Sequence, residues 1–254
     1  DTTDREFREA VTTSLSKILC RQPEQIPGLI TQIPASKTRK LGMSWLLGKT
    51  QQPGAIRFLA ELLKDPDPDV RASAIGALAK FKDKPLFEYL KQMIYDPNER
   101  VRAAAVNAMS VAGDMKAFEI VKSGLEDIDG FVRKRAAVGL ARIDLEKALV
   151  EMEKRRTRFA EIDSSLRGVT CAAGKLLDPS VGEDPVARNV ITELCPEEDL
   201  LRELKSSPKE ERRLHAFRIL AAVHRHNPRN LNAIVKNDPS AMLREEAKTL
   251  LAGQ

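Results

Sequence analysis

One short pattern returns three times without a gap: DPDPDVRASAIGALAKF from Asp65, DPNERVRAAAVNAMSVA from Asp96 and DIDGFVRKRAAVGLARI from Asp127. The step of 31 residues holds for several chemically distinct positions at once. Val70, Val101 and Val132 keep it, as do Arg71, Arg102 and Arg133, Ala74, Ala105 and Ala136, and the closing apolar residues Leu78, Met109 and Leu140. The register returns downstream, where Arg213 and Arg244 stand 31 apart, Ala216 and Ala247 follow each by three, and Asp238 precedes Arg244 by six as Asp65 precedes Arg71. Upstream, Lys40 takes the arginine slot and Leu47 the closing slot. Self-similarity at a period this short is the signature of a repeat architecture, in which each unit buries its apolar faces only by stacking on its neighbours.

Each unit reads as two helices. Phe58, Leu59, Leu62 and Leu63 give the i, i+3, i+4 stripe of a first helix. Asp65-Pro66 and Asp96-Pro97 then stop it, because proline lacks an amide hydrogen and disfavours helix in the residue before it. Acidic residues around Asp69 or Glu99 lie near the free amides at the start of the second helix. That helix buries Val70, Ala74, Ala77 and Leu78, and its small alanines let neighbours approach. Between Arg133 and Arg213 the step breaks. LRGVTCAAGKLL at 166–177 and DPVARNVITEL from Asp184 read as degenerate units.

The repeated charges Asp65, Arg71, Asp96, Arg102, Asp127, Arg133, Arg213, Asp238 and Arg244 admit two roles: a row facing a partner, or a structural ladder in which each arginine bonds the interhelix turn or aspartate of its neighbour. Repetition at one phase favours the ladder, since a chemical site departs from the repeat at one place.

The composition suits thin helical layers. Of the 254 residues, 42% are hydrophobic but only 4% aromatic, and 31% are charged, which argues against a mostly disordered chain. The net charge of +5 tolerates an acidic partner without demanding one. Cys20, Cys171 and Cys195 are scattered and odd in number, so neither a disulfide framework nor a close metal pair is expected, and a cytoplasmic location is. No apolar run reaches membrane-spanning length. His215, His224 and His226 have no metal spacing. Gly48-Lys49-Thr50 lacks the upstream glycines of a phosphate loop and reads as a helix stop. The expectation is of no cofactor, no metal and no catalytic constellation.

Two basic clusters are the candidate partner-binding sites. Lys154, Arg155, Arg156 and Arg158 lie in EMEKRRTRFAEID, read as a solvated helix with i,i+4 ion pairs or as a docking patch. Arg212, Arg213, Arg218, Arg225 and Arg229 form the second, on a helix burying Leu214, Phe217, Leu220 and Ala221. Such arginines could meet phosphates, but Glu210 and Glu211 dilute the field and no aromatic residues interleave for base stacking. Trp45, between Met43 and Leu46, reads as core.

The Asp-(five)-Arg-(two)-Ala pattern, the two helices per step and the proline in the turn resemble HEAT repeats, in particular the short alanine-rich subtype similar to bilin lyase HEAT-like repeats. The resemblance implies an all-α fold, a right-handed α/α superhelix with a concave face lined by second helices. It also implies a non-catalytic scaffold that holds another protein or a neighbouring domain of its parent chain and is monomeric alone. A nucleic-acid-binding solenoid and a bilin lyase or chaperone-like subunit are the alternatives. A DNA-alkylation glycosylase built of such repeats would need grouped aromatics and a carboxylate, and no acidic residue follows Trp45 by a helical turn. The expected layout is a helical cap at 1–36, carried by Phe7, Val11, Leu15, Ile18 and Leu19, then regular repeats at 37–141, irregular ones at 142–204 and C-terminal repeats at 205–254, as one continuous solenoid.

Overall fold

The computed structural model describes Arg21 and residues 36–51, 54–81, 87–112, 115–175, 179–223 and 228–252. The expected cap at 1–36 therefore lies outside the described residues but for Arg21 and Ser36. Every regular element among those described is helical. The chain forms two compact units, Asp1–Leu145 and Glu146–Gln254.

Unit 1 contains α1 (Lys37–Thr50), α2 (Ala55–Leu62), α3 (Pro68–Leu78), the short α4 (Phe87–Leu90), α5 (Glu99–Ala112), α6 (Met115–Ser123) and α7 (Gly130–Ile143), with single 3-10 turns at 93–95 and 124–126. The second helices form a continuous layer: α1 packs on α3, α3 on α5 and α5 on α7. The first helices lie against them, α2 on α3 and α6 on α5 and α7. Burial follows the stripes. Leu59, Leu62 and Leu63 of the first hairpin and Val70, Ala74, Ala77 and Leu78 of α3 are all buried.

Small residues set the spacing of the second-helix layer. A Cβ on Gly48 would come within 3.0 Å of the Ala77 Cα, and one on Gly139 within 2.6 Å of the Ser110 Oγ. Both pairs are 29 residues apart, and Ala79 with Ala108 holds the same register between them. Neighbouring helices can approach only as far as the side chains between them allow, so this pattern fixes close packing at each step. Gly48 is thus a packing position rather than a stop. α1 runs on through Thr50 and ends at Gln51, whose left-handed φ of 50° brings its amide to the Leu47 carbonyl at 3.1 Å.

Unit 2 contains α8 (Leu145–Glu153, joined at its first residue to unit 1), α9 (Ala160–Ala172), α10 (Pro185–Leu194), α11 (Glu197–Ser206), α12 (Glu210–Val223), α13 (Pro228–Asn237) and α14 (Ala241–Ala252), with a 3-10 turn at 179–182. Its hairpins are α9 with α10, α11 with α12 and α13 with α14, and α10 also packs on α12. Phe217, Ile219, Leu220, Ile191, Leu231 and Leu243 anchor its core. The expected stripe of α12 is corrected. Phe217 and Leu220 are buried as read, but Ala221 is exposed, Leu214 is half-buried, and Arg213, Ala216 and Ile219 are buried instead. A helix packed from more than one side buries a wider arc than a single stripe. Another correction falls on 151–163, where α8 ends at Glu153 and residues 154–158 form consecutive turns rather than continuing the helix.

Candidate functional site

The repeated Asp-x-(Asp/Asn/Ser) segment makes two nested turns. The Asp65, Asp96, Asp127 and Asp238 carboxylates each accept the amide two residues on, at 2.8–3.0 Å. The residue two positions later then caps the second helix. Asp67 accepts from the Asp69 amide at 2.8 Å, Asn98 from Arg100 at 3.0 Å, Asp129 from Phe131 at 2.9 Å, and the Ser240 hydroxyl from the Leu243 amide at 3.1 Å. These residues are the caps, and Asp69 and Glu99 follow them in the first turn. Only the capping position reaches the free N2 and N3 amides with a short side chain.

Six residues after each ladder aspartate comes the arginine. Arg71 donates from Nη1 to the Asp65 and Pro66 carbonyls at 2.7 and 3.1 Å, and from Nε and Nη2 to the two carboxylate oxygens of Asp96, both at 2.8 Å. Arg102 repeats this on the Asp96 and Pro97 carbonyls and on Asp127, again at 2.8 Å twice. Each guanidinium thus joins its own turn to the carboxylate 25 residues on. Lys40, in the arginine slot, reaches Asp65 at 2.5 Å over the same interval. Arg133 donates to the Asp127 and Ile128 carbonyls at 2.6 and 3.0 Å, while the carboxylate interval leads to position 158, occupied by Arg158. In unit 2, Arg213 reaches Asp238 at 3.2 and 3.3 Å and the Ser207 carbonyl at 3.0 Å, and Arg244 donates to the Asp238 carbonyl at 2.6 Å.

The electrostatics keep the rungs charged. The hydrogen bond to Asp96 raises the Arg71 pKa against the opposing effect of burial, and the bond to Asp127 does the same for Arg102. Burial pushes the Asp65 and Asp127 carboxyls up, but bonds from Lys40 or Arg102 and from the turn amides outweigh it and hold both below their ordinary value. A bidentate Arg–carboxylate pair fixes orientation as well as distance, so these groups are committed to the fold.

Both basic clusters are tied up in ion pairs, the first in the local ones expected of it, though on turns rather than on a helix. In the first, Lys154 pairs with Glu151 at 2.8 Å, Arg155 with Glu151 at 2.8 Å, and Arg156 with Glu153 at 2.6 Å, while Arg158 lies over the Phe159 ring at 4.9 Å. Carboxylates within the same segment therefore offset most of its charge. In the second, Arg213 is a buried rung, Arg212 lies 3.6 Å from Glu203, and Arg218 reaches Glu246 at 2.5 Å. Arg225 lies outside the described residues, as do His224, His226, Cys20 and the side chain of Arg229. Of the described members, Arg212 turns toward α11, Arg218 toward α14 and Arg213 into the stack.

His215 is half-buried with Nε2 3.4 Å from the Ala172 carbonyl, and burial lowers its pKa. Cys171 is buried, and at Cys195 burial, followed by the charge of Asp199, raises the thiol pKa. Among the described residues no group of His, Cys, Asp and Glu is arranged to hold a metal ion, and no helix is long and apolar enough to cross a membrane. Trp45 is half-buried rather than core, with the Lys49 ammonium 4.3 Å from its ring centre. Unit 2 holds a cavity of about 710 Å³, lined by Cys171, Phe217, Ala222 and Leu250 and bordered by the Arg218–Glu246 pair. The Arg167–Asp184 contact at 2.6 Å spans 17 residues, so the 31-residue register could not have shown it.

Comparison with known families agrees with this geometry. The profile of the HEAT repeats family matches residues 34–110 and 84–159. A HEAT-like repeat region is therefore present from 34 to 159, across the part of the chain where the rungs are most regular. No curated protein matches the chain significantly.

Proposed function

We propose that the chain is a non-catalytic scaffold that holds another protein, or a neighbouring domain of its parent chain, on the surface of its stacked second helices. The observation that carries this reading is the division of labour in unit 1. The ladder arginines Arg71 and Arg102 are turned into the stack and bonded on both sides, while the same helices leave a separate line of side chains exposed. Layered repeats with such a free face suit recognition by shape and charge, and the HEAT-like region supports the same role. The nucleic-acid alternative rests on Arg212 to Arg229, and of its described members Arg213 is buried and Arg218 is paired with Glu246. No observation favours a bilin lyase or chaperone-like subunit.

Affinity capture from native extract, with and without nuclease, tests the role. The expected result is a protein retained after nuclease treatment and no visible absorbance from the purified chain. Retention that depends wholly on nucleic acid, or a bound chromophore, would overturn it.

A further inference from the structure

The second helices of unit 1 share a line at positions i, i+4, i+7 and i+11, beginning at Thr38, Asp69, Arg100 and Phe131, and it faces outward except on α7, where its third position, Val138, is buried. The middle of this face is small on three helices: Gly42 on α1, Ser73 and Gly76 on α3, and Ala104 on α5. A Cβ added at Gly42 or Gly76 would meet nothing within 4 Å, so the surface there is open. The last position is cationic on three of the four lines, as Lys49 on α1, Lys80 in the turn just after α3 and Arg142 on α7, with Arg135 two turns earlier on α7. The one carboxylate on these four lines is Asp69, which is already bonded by Lys37 at 2.6 Å and Arg100 at 2.9 Å. Lys80 is exposed and has no ion-pair partner among the described residues. Arg142 is exposed and donates to the Asn107 side-chain oxygen at 3.1 Å, from α7 across to α5.

We propose that this face binds an acidic, extended polypeptide segment that crosses the second helices with its carboxylates on Lys49, Lys80 and Arg142; the proposal rests on the protein-binding role above. The spacing of charge selects this occupant. Packed helices lie about 8–10 Å apart, so Lys49 and Lys80 are one such interval apart and Lys80 and Arg142 two. An extended chain advances about 3.3 Å per residue, which places acidic residues about three and then about six positions apart. Duplex DNA carries one charge per ~1.7 Å and would leave most of its phosphates unmatched. Bases also gain little here, since Lys49 covers one face of Trp45 and Arg135 lies 5.0 Å over Phe131.

The test is fluorescence anisotropy of the full chain with a labelled peptide of repeated Gly-Ser-Glu, its Gly-Ser-Gln counterpart, and DNA in single-stranded and duplex form. The Glu peptide should bind at least about tenfold tighter than the Gln peptide and than either DNA, a clear difference in free energy. The double variant Lys80→Glu, Arg142→Glu should lose at least about tenfold in affinity for it, and Lys154→Glu, Arg156→Glu should leave it unchanged. The milder Lys80→Gln, Arg142→Gln pair, at exposed positions, should weaken binding while keeping the wild-type unfolding midpoint, which separates recognition from folding. Failure of the Glu peptide to bind, equal binding of the Gln peptide, tighter binding of DNA, or undiminished binding by both Lys80/Arg142 pairs would each overturn the proposal. If any of these occurs while a protein is still captured after nuclease treatment, the acidic-segment reading falls and the scaffold role stands. If capture fails too, both fall.

Discussion

Arg102 in unit 1 and Arg213 in unit 2 occupy the same slot and make the same rung with different closeness. Arg102 meets Asp127 through two bonds of 2.8 Å and also holds the Asp96 and Pro97 carbonyls. Arg213 reaches Asp238 at 3.2 and 3.3 Å. The surroundings differ in step with this. Around Arg102 the second helices close on small pairs such as Ser110 with Gly139, whereas α12 brings the bulky Phe217 and a lateral Arg218–Glu246 pair to a cavity. Position 207, where the repeat would have an aspartate, is Ser207, and the position 25 residues before it is Gly182 rather than arginine. A rung needs both ends, and where the donor is missing the acceptor has gone as well. The ladder is therefore a property of consecutive regular repeats, and it is tightest where the helices are free to approach.

Acid should perturb this arrangement most. Asp65 and Asp127 are held below their ordinary value near 3.8, as is Asp67 by the hydrogen bond from Lys37, all in unit 1; Asp184 is the described counterpart in unit 2. A depressed folded-state pKa means stability that is fully present above the unfolded value and lost as pH falls through the folded one. Below about pH 4, unit 1 should accordingly lose stability more steeply than unit 2. Trp45, the chain's one tryptophan, lies in unit 1, so its fluorescence during thermal unfolding can be set against the circular dichroism of the whole chain. Superimposable transitions at every pH would contradict the difference.

A single rung comes next. Arg102→Ala leaves the Asp127 carboxylate, only 11% exposed, without its guanidinium and should cost about 3 kcal/mol. Arg213→Ala, losing longer bonds, should cost about 1.5–3 kcal/mol. Chemical denaturation of both variants checks the order, and a reversed order would show that bond length is no guide to the role of the rung. Smaller still is the effect of a methyl group in the layer. Gly139→Ala drives a Cβ against Ser110 and should cost about 1–3 kcal/mol, while Gly76→Ala meets nothing and should gain up to about 1 kcal/mol from the better helix former. Equal midpoints for the two would remove small-residue spacing from the account. Least of all, Arg218→Ala breaks a pair that is about a third exposed and should cost no more than about 1 kcal/mol, read as a shift in unfolding midpoint.

The repeat register carried most of the fold, because a rung residue has to recur at one phase to bond its neighbour. Asp65, Arg71, Asp96, Arg102 and Asp127 could be picked from the 31-residue step alone. The acidic stretches around Asp69 and Glu99 mark the helix starts, but charge alone does not single out the capping residues Asp67, Asn98, Asp129 and Ser240, two of which carry no charge. Residues 154–158 keep helical ion-pair spacing while forming turns, so spacing alone does not reveal that the helix ends at Glu153. Arg213 belongs both to the 31-residue register and to a run of arginines, and its burial assigns it to the rung. The outward line ending in Lys49, Lys80 and Arg142 carries no apolar signal, and it becomes visible only once the second helices are known to stack side by side.

The most direct test of the ladder is a double-mutant cycle on Arg102 and Asp127, using Arg102→Ala, Asp127→Ala and the double variant in equilibrium denaturation. The account predicts a favourable coupling energy of about 1–3 kcal/mol, with the double variant less destabilised than the sum of its parts. Coupling near zero would mean that the two side chains contribute independently, and that the repeated Arg–Asp contact does not hold the stack together.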